Sequence, residues 1–518
     1  MATQGETKPG RVLVIAGSDS SGGAGLEADQ KVLGAHGVYG MTATTALTAQ
    51  NTMGVQDVHH IPPSFVEKQI RACMDDIGVD VVKTGMLASE ETIEMVAQVL
   101  SKSKIPNLVV DPVMISTSGA TLLPNSAVKT LLTSLLPQTT ILTPNIPEAI
   151  LLLCKSNTWK NPREPQCVQD LEVLGKEIQQ LGPKWVLIKG GHLPLTKDLQ
   201  VSEGVKEYIV DVLVGPEGVE RIVSPLIDSH HTHGTGCSLA SAIAANISKG
   251  NSVPMAVRAA CRYVEAGIKT APQLGKGHGP LNHFHSTYIL PFAPGYFVEY
   301  LLAREDVRPV WERFINHPFV MAMGDGTLPL SSFMGYIIQD YLYLIQFSRA
   351  NALAAFKSSK MDDIARASQL VGHVMTETKL HIKYCESFGI TRPEILATEE
   401  HQACTAYTRY VLDIGVQQDW LALQIAMAPC VIGYGVLASM LNKHVDTKRE
   451  GNRYWPWIEN YIAEDYTTAV GLISELLEEH MRKQSPARIE ELVSIFIHAT
   501  KMEIGFWEMY PAKEPVSK

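Results

Sequence analysis

The sequence has a deficit of positive charge. Its 518 residues include 44 Lys and Arg against 54 Asp and Glu, for a formal net charge of −10. This balance disfavours nucleic acids and anionic membrane surfaces as partners. The amino terminus has no apolar stretch of the signal-peptide type, and we expect no charge-free run long enough to span a bilayer. We therefore predict a cytoplasmic protein whose partners are small molecules, with no nucleic-acid or membrane partner.

The sequence also lacks internal repeats and closely spaced cysteine pairs. Its eight cysteines include no CxxC pair, which argues against a disulfide or zinc framework. Hydrophobic residues make up 45% and charged residues 19% of the chain, which excludes a disordered protein. The length exceeds what one hydrophobic core usually serves, so we expect two or more domains.

The first 270 residues alternate short apolar runs with amphipathic stretches. Such runs, ending in glycine, proline or a polar residue, indicate buried parallel strands joined by helices. Ligands of such sheets gather at the carboxyl ends of the strands. The runs are RVLVIAG from Arg11, VDVVKTG from Val79, NLVVDPV from Asn107, TILTPN from Thr140 and WVLIKGG from Trp185.

The pattern changes near a stretch rich in Gly, His and Pro at residues 275–294. Beyond it the strand signal disappears, and apolar residues recur at helical spacing. We predict an α/β domain over 11–283, a linker over 284–295 and an all-α domain over 296–512. A polar segment at 155–166 is expected to be a surface insertion.

Two glycine-rich segments of the first domain are candidate anion sites. GSDSSGGAG begins at Gly17 after the first strand, and it is either a tight turn or a backbone approach to a ligand. The second, Gly234, Thr235 and Gly236, precedes a helical run, where free N–H groups and the helix dipole bind anions. Cys237 then lies in the first helical turn, where we expect a lowered thiol pKa and a general base. The alternative is a capped helix with a small buried cysteine.

Polar residues that follow the predicted strands are candidates for phosphate and metal binding. Asp111, Asn145 and Glu148 suit the vicinity of a hydrated Mg²⁺, and Lys189 suits phosphate charge. Each could instead be a helix cap or part of an ion pair.

These motifs resemble a known family. AGSDSSGGAG, TALTAQNT, VKTGML, DPVM, TPNIPEA, LIKGGH and HGTGCSLASAIA occur in that order, as in the hydroxymethylpyrimidine and phosphohydroxymethylpyrimidine kinases, ThiD, of the ribokinase-like fold. The resemblance covers residues 11–283. It implies ATP-dependent phosphorylation of 4-amino-5-hydroxymethyl-2-methylpyrimidine and then of its monophosphate.

The resemblance also implies roles for single residues. Gln50 would read the aminopyrimidine edge, and Cys237 would be the base. Gly234 and Gly236 would form the anion hole. The other residues implied to line the substrate pocket are Gly17, Met86 and Val113.

In the helical half, apolar stripes are interrupted by reactive side chains. Asp340, Cys430 and Glu503 each lie on the apolar face of a predicted helix. Buried carboxylates are costly without partners, so their convergence suggests a pocket. A buried glutamate with a raised pKa can exchange protons near neutrality, and a nearby thiol can be a nucleophile. Singly, each residue could be core filler or a partner in a buried hydrogen bond.

Motifs of this half resemble TenA, the thiaminase II family, whose all-helical fold is similar to haem oxygenase. They are QDYLYL from Gln339, AYTRYVL from Ala406, APCVIGYG from Ala428, WPWIENY from Trp455 and EIGFW from Glu503. The resemblance implies that the pyrimidine is cleaved from thiamine or from an aminopyrimidine breakdown product.

In that reaction Cys430 would add to the pyrimidine ring, Glu503 would move protons, and Asp340 would hold the ring nitrogens. Tyrosines would surround the ring. They are Tyr343, Tyr407, Tyr434 and Tyr461.

The whole chain resembles fungal fusions of the two enzymes, which implies a homo-oligomer. Two alternatives stay open. The kinase half could act on pyridoxal, or the helical half could be a pyrimidine-binding or oligomerisation module without turnover.

Overall fold

The computed structural model describes residues 8–103, 105–114, 123–156, 164–199, 201 and 205–513. The chain divides into two compact units, Met1–Thr287 and Tyr288–Lys518, which we call the first and second units. Residues 157–163, most of the predicted insertion, lie outside the described part. The predicted linker over 284–295 includes the division between the units.

The first unit contains ten described strands and eight α-helices. The strands are β1 (Arg11–Ala16), β2 (Tyr39–Thr44), β3 (Ala46–Asn51), β4 (Gly54–His60), β5 (Val81–Thr84), β6 (Asn107–Val110), β7 (Ile141–Leu142), β8 (Trp185–Ile188), β9 (Tyr208–Gly215) and β10 (Gly218–Pro225). The helices are α1 (Gly25–Ala35), α2 (Pro63–Asp76), α3 (Glu90–Lys102), α4 (Asn125–Thr130), α5 (Ile146–Lys155), α6 (Val168–Gln179), α7 (Thr235–Ser248) and α8 (Val253–Lys269).

Eight of the strands form one sheet in the order β10-β9-β8-β7-β6-β5-β1-β2. The six strands from β8 to β2 in this order are parallel, and β9 and β10 add an antiparallel edge. A separate antiparallel pair, β3 and β4, begins just after β2. The expected parallel sheet is confirmed, whereas the β9–β10 hairpin and the β3–β4 pair were not predicted.

Helices cover both faces of the sheet because its strands are apolar on both sides. Leu13 and Ile15 of β1 pack into the cluster beneath α2, α3, α5 and α6. Val12 and Val14, which alternate with them, pack beneath α1, α7 and α8. Burial on both faces leaves the carboxyl ends of the parallel strands as the edge at which polar groups can gather.

Every element that the structure describes in the second unit is a helix, as expected. The helices are α9 (Phe297–Ala303), α10 (Arg308–Ile315), α11 (Pro318–Gly324), α12 (Leu330–Lys357), α13 (Met361–Ser387), α14 (Arg392–Ala397), α15 (Gln402–Gln417), α16 (Trp420–Lys443), α17 (Trp455–Ile462), α18 (Glu464–Met481) and α19 (Pro486–Trp507).

Helix α16 corrects one expectation from the sequence. No charged residue lies between Trp420 and Asn442, and the helix is long and apolar enough to cross a membrane. The expectation of no such segment was therefore wrong. However, 72% of its most apolar stretch is buried inside the unit, where it contacts α15, α17, α18 and α19. Its composition is that of a central core helix, which needs apolar residues on all sides.

Candidate functional site

A cavity of about 630 Å³ opens at the carboxyl edge of the first unit's parallel strands. The residues that directly follow β1, β6 and β8 line it, as the topology requires. All the site residues that we predicted for this unit also line it. They are Gly17, Gln50, Met86, Asp111, Val113, Asn145, Glu148, Lys189, Gly234, Thr235, Gly236 and Cys237. The structure brings these residues together, and their individual roles remain predictions.

The glycine-rich turn after β1 forms one wall of the cavity. A Cβ at Gly17 would lie against the terminal methyl group of Met86, which would have to move to make room for it. The Asp19 carboxylate organises the turn by accepting hydrogen bonds from the backbone N–H groups of Ser21 at 2.9 Å and Ala24 at 2.8 Å. The turn is therefore a built part of the cavity wall.

Asp19 also joins this turn to the second glycine-rich segment. Its Oδ2 lies 2.8 Å from Nε2 of the buried His233. Burial favours the protonated acid, but the hydrogen bonds from His233, Ser21 and Ala24 outweigh it and lower the pKa of Asp19 to about 2. The carboxylate is thus ionised, and Asp19 and His233 form a pair that we did not predict.

Gly234 sets the start of α7 against the first turn. Its φ is +80°, in the left-handed region, and a side chain there would overlap the carbonyl oxygen of Gly23. Helix α7 begins at the next residue, Thr235, so its first N–H groups lie at the cavity. This geometry suits an anion.

Cys237 lies in the first turn of α7, but its pKa differs from our expectation. Burial raises the pKa of the thiol to about 11, although the ammonium of Lys83 acts to lower it. The expected net lowering of the thiol pKa was therefore wrong, because loss of hydration outweighs the helix terminus and the nearby cation.

A charged cluster lies beside the α7 start. Lys189 Nζ donates to Asp111 Oδ1 at 2.9 Å and lies 3.8 Å from Glu148 Oε2. Burial, reinforced by the charge of Asp111, raises the pKa of Glu148 to about 7, against the lowering effect of Lys189. The Glu148 carboxyl group can therefore gain or lose a proton near neutral pH.

Asn145 takes the helix-cap role that we left open. Its Oδ1 accepts from the Glu148 N–H at 2.8 Å, and Glu148 Oε2 accepts from the Asn145 N–H at 2.8 Å, which is a capping box at the start of α5. Among the described residues, no three His, Cys, Asp or Glu side chains form a ready metal cage. The oxygen donors of Asp111 and Glu148 fit a Mg²⁺ that keeps most of its water.

A second buried ion pair was missed by our sequence analysis. Lys83 Nζ lies 2.9 Å from Asp29 Oδ2, and Ser241 Oγ donates to Asp29 Oδ1 at 2.7 Å. Both charged side chains are fully buried, and Lys83 reaches the cavity. One sequence signal could have found it, since Lys83 is the one charged residue in the four-residue strand β5.

The second unit places its candidate residues in one buried aromatic cluster. Tyr407 donates from its hydroxyl to Glu503 Oε1 at 2.7 Å. Burial raises the pKa of Glu503 to about 8, the hydrogen bond from Tyr407 opposes this rise, and Asp340 adds to it. The carboxyl group is therefore protonated at neutral pH, as expected of a proton donor and acceptor.

Asp340 is held by a residue that we did not predict. His381 Nε2 of α13 lies 2.8 Å from Asp340 Oδ2. The sequence of α13 is polar and has no apolar periodicity that would single out His381. Asp340 is also close enough to Glu503 for its charge to raise that residue's pKa.

Cys430 and the predicted tyrosines complete the cluster. Burial raises the pKa of the Tyr343 and Tyr407 phenols well above its usual value. Cys430 lies close enough to both to add to that rise. The ring centroids of Tyr343 and Tyr407 lie 5.1 Å apart, and those of Tyr434 and Tyr461 lie 5.2 Å apart. The structure thus assembles all the residues predicted for this unit, and their roles remain predictions.

Comparisons with known proteins give each unit a family. A phosphomethylpyrimidine kinase family model matches residues 19–282, and a TENA/THI-4/PQQC family model matches residues 304–512. Hydroxymethylpyrimidine/phosphomethylpyrimidine kinase THI20 of Saccharomyces cerevisiae is 34% identical over 96% of this chain and 94% of its own.

Two further relatives match the first unit. Hydroxymethylpyrimidine/phosphomethylpyrimidine kinase of Streptomyces coelicolor is 43% identical over 53% of this chain and 94% of its own. The crystal structure of a phosphomethylpyrimidine kinase from Clostridium difficile is 40% identical, with a TM-score of 0.42, over 50% of this chain and 98% of that one. The chain therefore belongs to the phosphomethylpyrimidine kinase family, as a thiamine-biosynthesis kinase with a ribokinase-like fold fused to an all-helical TenA-type domain.

Proposed function

We propose that the first unit transfers the γ-phosphoryl group of ATP to the hydroxymethyl oxygen of 4-amino-5-hydroxymethyl-2-methylpyrimidine, and then phosphorylates the monophosphate. The observation that carries this proposal is the single cavity that holds the start of α7, Lys189 and Cys237. It combines an anion site, a cation and a candidate base within one enclosure.

The first transfer forms a bond between the hydroxymethyl oxygen and the γ-phosphorus and breaks the bond to the leaving ADP oxygen. Cys237, as thiolate, takes the hydroxyl proton. The thiolate is a minor form at neutral pH, and the charge of Lys83 favours it. The N–H groups of Gly234 and Gly236 and the ammonium of Lys189 stabilise the negative charge that develops on the transferred group.

Mg²⁺ would lie near Asp111 and Glu148, held through water, and would neutralise charge on the nucleotide phosphates. Lys189 lies within ion-pair distance of both carboxylates. Asn145 supports Glu148 through the capping box.

We propose that the second unit releases hydroxymethylpyrimidine from thiamine or from an aminopyrimidine breakdown product. Cys430 Sγ adds to a ring carbon while the thiol proton passes to a ring nitrogen, and the group on the exocyclic methylene leaves with its bonding electrons. The oxygen of a water molecule then bonds to the methylene, and Cys430 leaves the ring and regains its proton from the ring nitrogen. Glu503, protonated at the start, donates a proton to the leaving group and recovers one from the water.

Chromatographic product analysis of the full chain tests both proposals. We expect thiamine or an aminopyrimidine derivative alone to yield free hydroxymethylpyrimidine, and added Mg-ATP to carry it to the diphosphate. Cys430→Ala should abolish only the release, and Cys237→Ala should abolish only the phosphorylation. Adding pyridoxal as a competing substrate tests the alternative that the kinase half acts on pyridoxal. A wild type that releases no pyrimidine from either substrate would contradict the hydrolase proposal.

We further propose that the chain is a homo-oligomer. The second unit exposes large apolar side chains, among them Phe356 at the end of α12 and Met361 at the start of α13, which are 85% and 75% exposed. Such side chains favour burial between copies. Light scattering should give a multiple of the 56.8 kDa chain mass, and a monomeric mass would contradict this proposal.

A further inference from the structure

The main chain of Gln50 is fixed, so only its amide group can turn. Ser20 Oγ accepts from the Gln50 N–H at 2.9 Å and donates to the Gln50 carbonyl oxygen at 2.7 Å. The Gln50 side chain lines the cavity, with one end near His233 and the other near Thr48. What the amide presents to a ligand depends on which end carries the oxygen.

Nε2 of His233 offers Gln50 no lone pair, because it carries the hydrogen that it donates to Asp19. This nitrogen lies 2.8 Å from the Asp19 carboxylate, which also accepts from the backbone of Ser21 and Ala24. An ionised carboxylate requires a hydrogen on Nε2, whether the imidazole is neutral or charged. The Gln50 group next to this nitrogen therefore cannot donate a hydrogen bond to it, and the amide oxygen suits this end better than the NH₂ group.

Thr48 imposes the opposite demand at the other end of the amide. Its hydroxyl donates to the Ser18 carbonyl oxygen at 2.8 Å, which uses its one hydrogen. Towards Gln50 the hydroxyl oxygen then offers lone pairs, so the group facing it must be a donor.

One orientation of the amide satisfies both neighbours. Gln50 Nε2 is placed 3.4 Å from His233 Nε2, and Oε1 is placed 3.2 Å from Thr48 Oγ1. In this placement the Gln50 NH₂ group finds no lone pair on His233 Nε2, whereas a half turn of the amide exchanges oxygen and nitrogen at almost the same positions. The oxygen then faces the N–H of His233, and the NH₂ group donates to Thr48.

We infer that Asp19 and His233, together with Thr48, are positioning residues that lock the Gln50 amide in this one orientation and so determine which ring edge the kinase accepts. The inference rests on the proposed role of Gln50 as the reader of the aminopyrimidine edge. A 4-aminopyrimidine presents a donor at its amino group and an acceptor at the adjacent ring nitrogen. The locked amide matches this donor and acceptor in only one orientation of the ring. A 4-oxo analogue presents an acceptor oxygen and an adjacent ring N–H instead, so it requires the amide turned the other way.

The experiment compares kcat/KM for 4-amino-5-hydroxymethyl-2-methylpyrimidine with that for its 4-oxo analogue, using the full chain. We expect the wild type to prefer the amino compound by at least about a hundredfold, because the wrong amide leaves buried polar groups unpaired. Asp19→Asn frees His233 to change its tautomer, and Thr48→Val removes the other constraint without a change of shape. In each variant the ratio of the two kcat/KM values should fall to about tenfold or less, mainly because kcat/KM for the oxo compound rises.

Ser20→Ala is the matched control, because it removes hydrogen bonds from the Gln50 main chain and leaves the amide constraints in place. It should lower kcat/KM for both compounds and keep their ratio. Thr48→Val keeps the test valid if Asp19→Asn disturbs the glycine-rich turn. A wild type that phosphorylates neither compound would overturn the proposed function and the inference together. A discriminating wild type whose ratio survives in both variants would overturn the inference alone.

Discussion

Glu503 is a residue whose charge is decided by its surroundings. In an unfolded chain its carboxyl group has a pKa near 4.5, and burial raises it to about 8 in the folded protein. Between these two values the folded state keeps a proton that the unfolded state releases. The free energy of unfolding therefore falls as pH rises through this window, and the whole loss is present above it.

We expect Glu503→Gln to become more stable relative to the wild type as pH rises from about 5 to about 8, and no further above about 9, because glutamine carries no such proton. Melting temperatures of the full chain at several pH values measure this difference. Glu459→Gln, at an exposed position of α17, is the control and should show no such trend. A difference between Glu503→Gln and the wild type that is independent of pH would contradict the raised pKa.

At the scale of elements, the buried pair of Lys83 and Asp29 joins β5 to α1, and Ser241 adds α7. Residues of these three elements meet beneath the cavity, so the ion pair helps to hold α7 in position. A fully buried pair depends on both partners, because loss of one leaves an uncompensated charge.

We expect Lys83→Met to lower the free energy of unfolding by about 3–5 kcal/mol, and Lys83→Met combined with Asp29→Leu to lower it by clearly less. Urea denaturation of the full chain measures both. The surface pair of Arg11 and Asp80, 2.6 Å apart and about one-third exposed, is the matched control. Arg11→Met should lower the free energy of unfolding by clearly less than Lys83→Met, because the surface pair is screened by solvent. If Lys83→Met and the double variant lower the free energy of unfolding equally, the prediction that each partner compensates the charge of the other is contradicted.

At the scale of the whole molecule, the chain divides between Thr287 and Tyr288. Just after this point, the Glu478 carboxylate of α18 accepts from the backbone N–H groups of Gly295 and Phe297, each at 2.8 Å. Residues 295–297 are thus held by the second unit, and each unit has a hydrophobic core of its own.

We expect residues 1–287 and 288–518, expressed as separate chains, to fold independently and to show one cooperative melting transition each. Circular dichroism and calorimetry measure this. A second unit that begins at residue 300, inside α9, should be markedly less stable, because it lacks the segment that Glu478 binds. Aggregation of the chain 288–518 would show that the second unit needs the first.

The sequence by itself determined the two fold classes and the residues at the ends of the parallel strands. Both follow from local periodicity, since a strand buried on both faces has to be apolar and its polar residues fall just beyond its carboxyl end. Asp111 and Lys189 could therefore be found without coordinates. Helical spacing likewise placed Cys430 and Glu503 on buried faces.

Tertiary structure alone decided the pairings and the electrostatics. Lys83 and Asp29 are 54 residues apart, and Asp19 and His233 are 214 residues apart. No local pattern relates such distant positions, because each partner is chosen by how the strands and helices pack. The pKa of Cys237 depends on the same packing. The sequence placed the thiol at a helix start, and only its burial in the folded unit raised its pKa.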